Sequence, residues 1–331
     1  MNYRFSLDKS SPTKLFKCPL CHHKALKRYW DNELNEYLND SVGRCNREVN
    51  CGYHLTPKQY FEDNEIAYKS FDFINKIPQI KPEPTYIDWR ILEQTLNRSA
   101  PNHFANYLRN LFQDEMTETL VKRFKIATST HWEGATIFWQ IDEQMRVHTG
   151  KIMLYNAQTG KRVKEPFNHI HWVHSLAKWK DFNLERCFFG LHQVVDDLDK
   201  TIGIVESEKT AILLTAVYPK ITWLASGGMG LTIQNFEPLK NRKIILYPDV
   251  GNDNNGQGTP FQKWQDKAEI LELMAYDVSV SNLIEQNATQ EQRIKGYDLA
   301  DYLIKTDPSG LAMAEGGYPT FWDFKTTIKD E

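Results

Sequence analysis

The sequence predicts a mixed α/β protein in four successive parts: an N-terminal zinc ribbon, a linker, a basic α+β subdomain and a parallel α/β sheet. Three observations predict this organisation. Most of the cysteines lie within the first 60 residues, and closely spaced prolines follow in the segment NKIPQIKPEPTY. Beyond residue 200, short apolar runs alternate with helical patterns, which is typical of parallel strands connected by helices.

The first part, residues 1–60, contains the expected ligands of one zinc ion, the thiolates of Cys18, Cys21, Cys45 and Cys51. Two thiolates separated by two residues can hold a tetrahedral zinc ion from a tight turn. The second cysteine pair has a longer spacing, and His22, His23 and His54 are spare candidates, so His54 can replace one cysteine. Four protein ligands leave no position open for water, so we expect the zinc ion to be structural.

Residues 61–90 are predicted to be a stiff linker, because each of their three prolines fixes a backbone angle and removes a hydrogen-bond donor. A helical pattern then extends from Tyr86 to Phe124, and residues 135–147 and 151–163 have the patterns of two β-hairpins.

The stretch 145–186 is rich in lysine and arginine with aromatic residues between them, although the whole chain has a net charge of −3. Such a mixture suits a phosphate backbone with stacked bases. A solvated basic face is the alternative interpretation. The candidate phosphate contacts are Lys151, Lys161, Arg162 and Lys164.

The sequence contains no apolar N-terminal leader and no apolar run long enough to span a membrane. Five cysteines in a chain of 331 residues are too few for a disulfide scaffold. We therefore expect a cytoplasmic protein without a membrane partner.

Acidic residues follow the predicted strands of the C-terminal part. Glu206 ends the first strand, Asp249 ends the third with Asp253 four residues later, and Asp298 follows the fourth. Ligands of open parallel sheets bind beyond the carboxyl ends of the strands. Clustered carboxylates repel one another unless a cation neutralises them, and such oxygen ligands suit Mg²⁺ or Mn²⁺. Singly, each residue also fits a plain role at a helix N-terminus or in a polar loop.

Three motifs in this part, VESEKTA, LASGGMG and YPDVGND, resemble those of Toprim domains, the fold shared by bacterial primases, topoisomerases and related nucleases. The resemblance implies a Toprim domain over residues 201–310, followed by a C-terminal tail over 311–331. It also implies that Glu206 is a general acid/base or metal ligand and that Asp249 is a metal ligand, with both residues catalytic.

The resemblance extends upstream to DnaG-type primases. The segment from Tyr107 to Asp142 is similar to the stretch that precedes their catalytic core, and CFFGLHQ is similar to a motif just before their Toprim strand. Residues 91–200 would then be a primase-like basic α+β subdomain. The implied activity is synthesis of short RNA primers on single-stranded DNA from nucleoside triphosphates, with a replicative helicase as a further partner.

The sequence departs from the family pattern at two informative positions. The second aspartate of the Toprim Asp-x-Asp motif falls on Gly251, which has no side chain to bind metal, and Ser207 replaces the usual glycine after the glutamate. Two alternatives to an active primase therefore stay open. One is a non-catalytic nucleic-acid-binding protein of a replication or mobile-element system, and the other is a Toprim nuclease.

Overall fold

A computed structural model describes residues 4–8, 10, 14–47, 50–64, 82–196, 198–228, 232–253, 256 and 258–306. The chain divides into two compact units, one of residues 1–81 with 253–257 and the other of residues 82–252 with 258–331. Residues 65–81 of the predicted linker and the whole predicted tail lie outside the described residues. The predicted domain boundaries stay predictions.

The N-terminal unit is an antiparallel β-structure followed by one short helix. Its strands are β1 (Phe5–Leu7), β2 (Phe16–Lys17), β3 (Lys24–Asp31), β4 (Glu36–Tyr37), β5 (Gly43–Cys45) and β6 (His54–Leu55). The long strand β3 pairs with β1, β2, β4 and β5, and β6 pairs with β5. Helix α1 (Pro57–Asp63) begins at a capping box in which Thr56 and Gln59 satisfy each other's backbone N–H groups.

The second unit begins with two helices and an antiparallel sheet. The helices are α2 (Trp89–Leu96) and α3 (His103–Arg123), and the strands are β7 (Ala127–Thr128), β8 (Thr136–Ile141), β9 (Val147–Met153) and β10 (Ile170–Trp172). The sheet order is β10-β9-β8-β7. Strands β8 and β9 form the first predicted hairpin, and a bridge between Tyr155 and Arg162 closes the second.

The short helix α4 (Val173–Ala177) leads towards a four-stranded parallel sheet. Its strands are β11 (Ile202–Val205), β12 (Thr222–Ala225), β13 (Lys243–Tyr247) and β14 (Asp277–Val280), and its helices are α5 (Glu208–Val217), α6 (Pro260–Leu273), α7 (Leu283–Asn287), α8 (Gln290–Lys295) and α9 (Leu299–Thr306). The order is β12-β11-β13-β14, with all neighbours parallel. The apolar runs therefore form parallel strands, as their pattern predicts.

The segment that follows the glycine turn after β12, where the alternating pattern predicts a helix, is not a regular α-helix. Residues Ile233–Leu239 form a 3₁₀-helix, and Pro238 lies within it. A proline removes one backbone donor and clashes with the preceding turn, so a regular α-helix is disfavoured here. Among the described helices, none combines the length and apolar character needed to cross a membrane.

Candidate zinc and acidic sites

The four predicted zinc ligands come together in the N-terminal unit. The Sγ atoms of Cys18, Cys21, Cys45 and Cys51 all lie within 4.8 Å of one another. The distances from Cys18 to Cys51 and from Cys21 to Cys45 are 3.7 and 3.9 Å. Zn–S bonds of about 2.3 Å at tetrahedral angles place sulfurs about 3.8 Å apart. The four thiols thus have the geometry of a structural zinc site.

Backbone hydrogen bonds shape the two turns that present these thiols. The His22 N–H donates to Cys18 O at 3.0 Å in the first turn, and the Cys51 N–H donates to Arg47 O at 2.8 Å in the second. The backbone N–H of His23 lowers the pKa of Cys21 to about 6, whereas burial raises the pKa of Cys45 to about 12. The second turn spans the longer cysteine spacing without losing the tetrahedral arrangement.

The neighbouring histidines have other contacts. His54 Nε2 lies 3.0 Å from the Tyr29 hydroxyl, and the two rings are stacked. His23 Nδ1 lies 2.7 Å from Cys21 O and 2.6 Å from an Arg47 guanidinium nitrogen. The structure therefore favours four thiolate ligands over a set in which His54 replaces a cysteine.

The predicted acidic residues meet at one edge of the parallel sheet. Strands β11 and β13 are parallel neighbours whose last residues, Val205 and Tyr247, are paired. Glu206 and Asp249 leave these two strands side by side, and the Asp249 backbone N–H donates to the Glu206 carboxylate. The Glu206 carbonyl accepts the Gly228 N–H at 3.2 Å, which ties it to the glycine turn after β12.

Asp298 joins this edge from the segment before α9. Its carboxylate accepts the Thr210 hydroxyl at 2.5 Å and the Asp301 backbone N–H at 2.7 Å. Next to it, the Val250 N–H donates to Tyr297 O at 2.9 Å and holds the β13 exit against this segment. Asp298 is buried, and Glu206 and Asp249 are half-buried.

Burial and nearby negative charges raise the proton affinity of the three carboxylates. Burial raises the pKa of Glu206 and of Asp298. The pKa of Asp249 is raised well above its usual range by burial and by the charges of Glu206 and Asp298. Close like charges with little water oppose ionisation. A cation at this edge would relieve that cost.

Lysines supply part of the compensating charge. Lys209 Nζ lies 3.4 Å from Asp301 Oδ1, and the charges of Asp298 and Asp301 raise its pKa against the effect of burial. Lys263 and Lys267 on α6 act on Glu206 electrostatically. Sequence reasoning missed these three lysines, although Lys209 lies within the VESEKTA motif.

Two further observations bear on a metal at this edge. Glu206 Oε1 is buried and has no hydrogen-bond partner among the described residues. In the same described part of the chain, only the four cysteines form a group of three or more possible ligands within 4.8 Å of one another. The unpartnered oxygen fits a cation, but the carboxylates are more widely spaced than the thiols.

Asp253 is exposed in the following loop, and its role as a ligand stays a prediction.

Gly251 occupies a close approach between the β13 exit and α6. A Cβ added at this position would lie 3.1 Å from Pro260 Cγ and 3.2 Å from Pro260 Cδ. Pro260 is the first residue of α6, so its backbone angle is fixed and the ring has little freedom to move. The local packing therefore opposes an aspartate where the Toprim pattern has its second one.

A buried ion pair connects the antiparallel sheet to the start of α5. Lys151 Nζ lies 3.1 Å from both carboxylate oxygens of Glu208, and the two side chains are 12% and 2% exposed. Lys151 also donates to Gly227 O at 3.4 Å. Gly227 has φ +65°, and a Cβ there would lie 3.0 Å from Glu208 Oε1. Lys151, an expected phosphate contact, is thus already paired within the fold.

The other expected phosphate contacts, Lys161, Arg162 and Lys164, are exposed. They lie in the loop that leaves the Tyr155–Arg162 bridge towards β10. Their accessibility is compatible with phosphate binding, which stays a prediction.

Replacing Lys151 by methionine is expected to lower the free energy of unfolding by about 3–5 kcal/mol, because it removes the cation hydrogen-bonded to the buried Glu208 carboxylate and leaves only the through-space charge of Arg186. The double variant K151M/E208Q is expected to recover most of the loss. Lys161→Met, at an exposed position, is the matched control and is expected to change stability by less than about 0.5 kcal/mol. Urea unfolding measures all three, and a K151M variant as stable as its control would contradict the assignment of this ion pair.

Comparisons with known proteins give two family matches. Residues 102–250 match a family described as a domain of unknown function, DUF6371, and residues 3–66 match a zinc beta-ribbon finger family. The second match covers all four clustered cysteines. Comparison with curated proteins finds no match.

Solved structures of primases are distantly similar. The Escherichia coli primase catalytic core has 13% identity and a TM-score of 0.38, over 66% of this chain and 80% of that one. A DnaG primase catalytic domain bound to single-stranded DNA has 13% identity and a TM-score of 0.40, over 66% and 81%. The primase fragment of the bacteriophage T7 primase-helicase has 11% identity and a TM-score of 0.34, over 84% and 96%. These values are too low to support an inference about activity.

Proposed function

We propose that residues 201–310 form a Toprim domain and that the protein is a primase-like nucleotidyltransferase. It would synthesise short RNA primers on single-stranded DNA from nucleoside triphosphates, with Mg²⁺ or Mn²⁺. The observation that carries this proposal is the acidic edge of the parallel sheet. There a buried, unpartnered oxygen of Glu206 lies beside Asp249 and Asp298, in motifs that resemble the Toprim pattern.

In this proposal, Glu206, Asp249 and Asp298 hold a divalent ion. The ion would stabilise the charge that develops on phosphate oxygens during phosphoryl transfer. The Asp249 N–H fixes the Glu206 carboxylate, and Lys209 offsets the negative charge of Asp298 and Asp301.

Other parts of the chain would serve the nucleic acid. Lys161, Arg162 and Lys164 would contact its phosphates, and the zinc ribbon would help to select the template. A replicative helicase is a further expected partner, and a cytoplasmic location fits these partners. Lys151 would act on the site through Glu208 and the glycine turn, since its ammonium group is already paired.

A primer-synthesis assay tests the proposal. The zinc-loaded protein is incubated with single-stranded DNA, labelled ribonucleotides and Mg²⁺ or Mn²⁺, with a known primase as the positive control. We expect short labelled oligoribonucleotides that require template and metal. If the known primase makes products on the same template and this protein makes none, primer synthesis is wrong for it.

The close packing at Gly251 favours a second candidate function, a non-catalytic nucleic-acid-binding protein of a replication or mobile-element system. This candidate predicts that Glu206→Gln changes neither DNA binding nor biological activity. A Toprim nuclease is the remaining alternative, and metal-dependent cleavage of plasmid DNA would distinguish it from both.

A further inference from the structure

A row of five contacting rings lies beside the antiparallel sheet of the second unit. Its members, which we call the ring platform, are His131, Trp132, Phe167, His169 and His171. Phe167 is stacked on His169 with ring centroids 4.3 Å apart, and Trp132 meets the edge of His169 at 5.0 Å. His131 lies 4.3 Å from Trp132 and 5.2 Å from His171. The rings form one continuous group.

The platform is anchored on its inner side and open on its outer side. Trp132 packs against the apolar cluster beneath the sheet, and His171 lies in β10. His169 is buried, and its Nδ1 lies 3.3 Å from Val163 O. By contrast, His131 is exposed, and the Phe167 side chain is 54% exposed. Burial therefore does not account for the aromatic ring at position 167.

Positive charge lies in the same loop as Phe167. Lys161, Arg162 and Lys164 are exposed there, and Glu165 is the loop's one acidic residue. Backbone hydrogen bonds from the Val163 N–H to Leu154 O and from the His169 N–H to Val163 O fold the loop against the sheet. The basic side chains are thus held in the segment that carries the exposed ring.

Exposed rings beside positive charges match a ligand that offers flat apolar faces on an anionic chain. Single-stranded nucleic acid has both features, since its bases are free to stack on protein rings while its phosphates meet cations. In a duplex the base faces are already stacked on one another, and an acidic peptide lacks the regular series of flat faces. Charge and ring chemistry therefore favour a single strand.

We propose that the ring platform binds unpaired bases of a single-stranded nucleic acid, with Phe167 as the main stacking residue and Lys161, Arg162 and Lys164 on the adjacent phosphates. This inference rests on the proposed function for its class of substrate, and it adds the site at which the bases are held. Binding there is independent of base identity, because every base has a stacking face.

Two oligomers of equal length separate stacking from charge: a fluorescent oligothymidylate and an abasic strand with the same phosphates. Anisotropy titrations compare the full-length protein with Phe167→Ala and with Leu273→Ala. Leu273 is the matched control, since its side chain is 88% exposed on α6, outside the platform. A double variant, K161A/K164A, removes charge and keeps the rings.

Phe167→Ala is expected to weaken oligothymidylate binding about fivefold or more, the lower end of measured base-stacking losses, and to leave abasic-strand binding unchanged. K161A/K164A is expected to weaken both oligomers and to reduce the salt dependence of binding. Leu273→Ala is expected to bind both like the unchanged protein.

The stacking site is wrong if Phe167→Ala weakens the binding of both oligomers equally or of neither. It is also wrong if the unchanged protein binds the abasic strand as tightly as oligothymidylate, or binds neither oligomer. Primer synthesis is a separate readout. Base-selective loss in a protein that makes no primers would keep the platform and refute the proposed activity. Primer synthesis without a base-selective loss in Phe167→Ala would support the proposed activity and refute the stacking site.

Discussion

Glu206→Gln is expected to lower the rate of primer synthesis by about 10²-fold or more, because the substitution removes the charge proposed to act as metal ligand or acid/base. Glutamine has nearly the same shape and still accepts the Asp249 N–H that fixes this side chain. The fold and the affinity for single-stranded DNA are therefore expected to stay unchanged. Initial rates of ribonucleotide incorporation and oligonucleotide anisotropy measure the two effects.

Measuring the stability of Glu206→Gln distinguishes a loss of catalysis from a loss of folded protein. Burial raises the pKa of Glu206, so in metal-free protein its ionised form increasingly opposes folding as the pH rises through that raised value. The Glu206→Gln variant, whose side chain at this position is neutral, is thus expected to unfold at an equal or higher urea concentration than the unchanged protein at neutral pH. Glu269→Gln, at an exposed position of α6, is the matched control. A full rate of primer synthesis in Glu206→Gln would contradict the proposed catalytic role of Glu206.

Cys45→Ser is expected to abolish stoichiometric zinc binding and to unfold the zinc ribbon. The buried cluster at the thiols consists of Cys18, Ala25, Leu26 and Cys45, so it contains few aliphatic side chains. Structural zinc sites contribute about 10–16 kcal/mol of apparent binding free energy in small modules, which this core cannot replace. Zinc content by atomic emission and hydrogen exchange over residues 14–64 of the full chain measure the loss.

The chain contains its own control for this prediction. Cys187 is also buried, but it packs among the apolar side chains next to the parallel sheet. Cys187→Ala is expected to retain one zinc ion and a protected ribbon. If Cys45→Ser bound zinc as the control does, with the same exchange protection, the four-thiolate site would be wrong.

Local patterns predicted the parts of the fold that depend on neighbouring residues. The apolar runs that became β11 and β13 end at Glu206 and Asp249, and parallel pairing brings both residues to one edge. The cysteine spacing predicted the zinc cluster in the same way. Here a short stretch of sequence determines both the element and the place of its last side chain.

Contacts between distant segments could not be predicted from such patterns. Lys151 and Glu208 are 57 residues apart in the sequence, and each by itself resembles an ordinary surface charge. The ring platform joins the turn before β8 to the loop before β10, so Trp132 and Phe167 carry no shared local signal. In both cases, the packing of segments that are distant in the sequence decides whether these residues are paired or stacked.

Binding of Mn²⁺ to the zinc-loaded protein, followed by electron paramagnetic resonance, tests the central claim most directly, since it detects the metal at the acidic edge without requiring turnover. We expect saturable binding that Glu206→Gln weakens about tenfold or more, while Glu269→Gln binds like the unchanged protein. Absence of saturable binding, or equal affinity in Glu206→Gln and in the unchanged protein, would contradict a metal site built on Glu206.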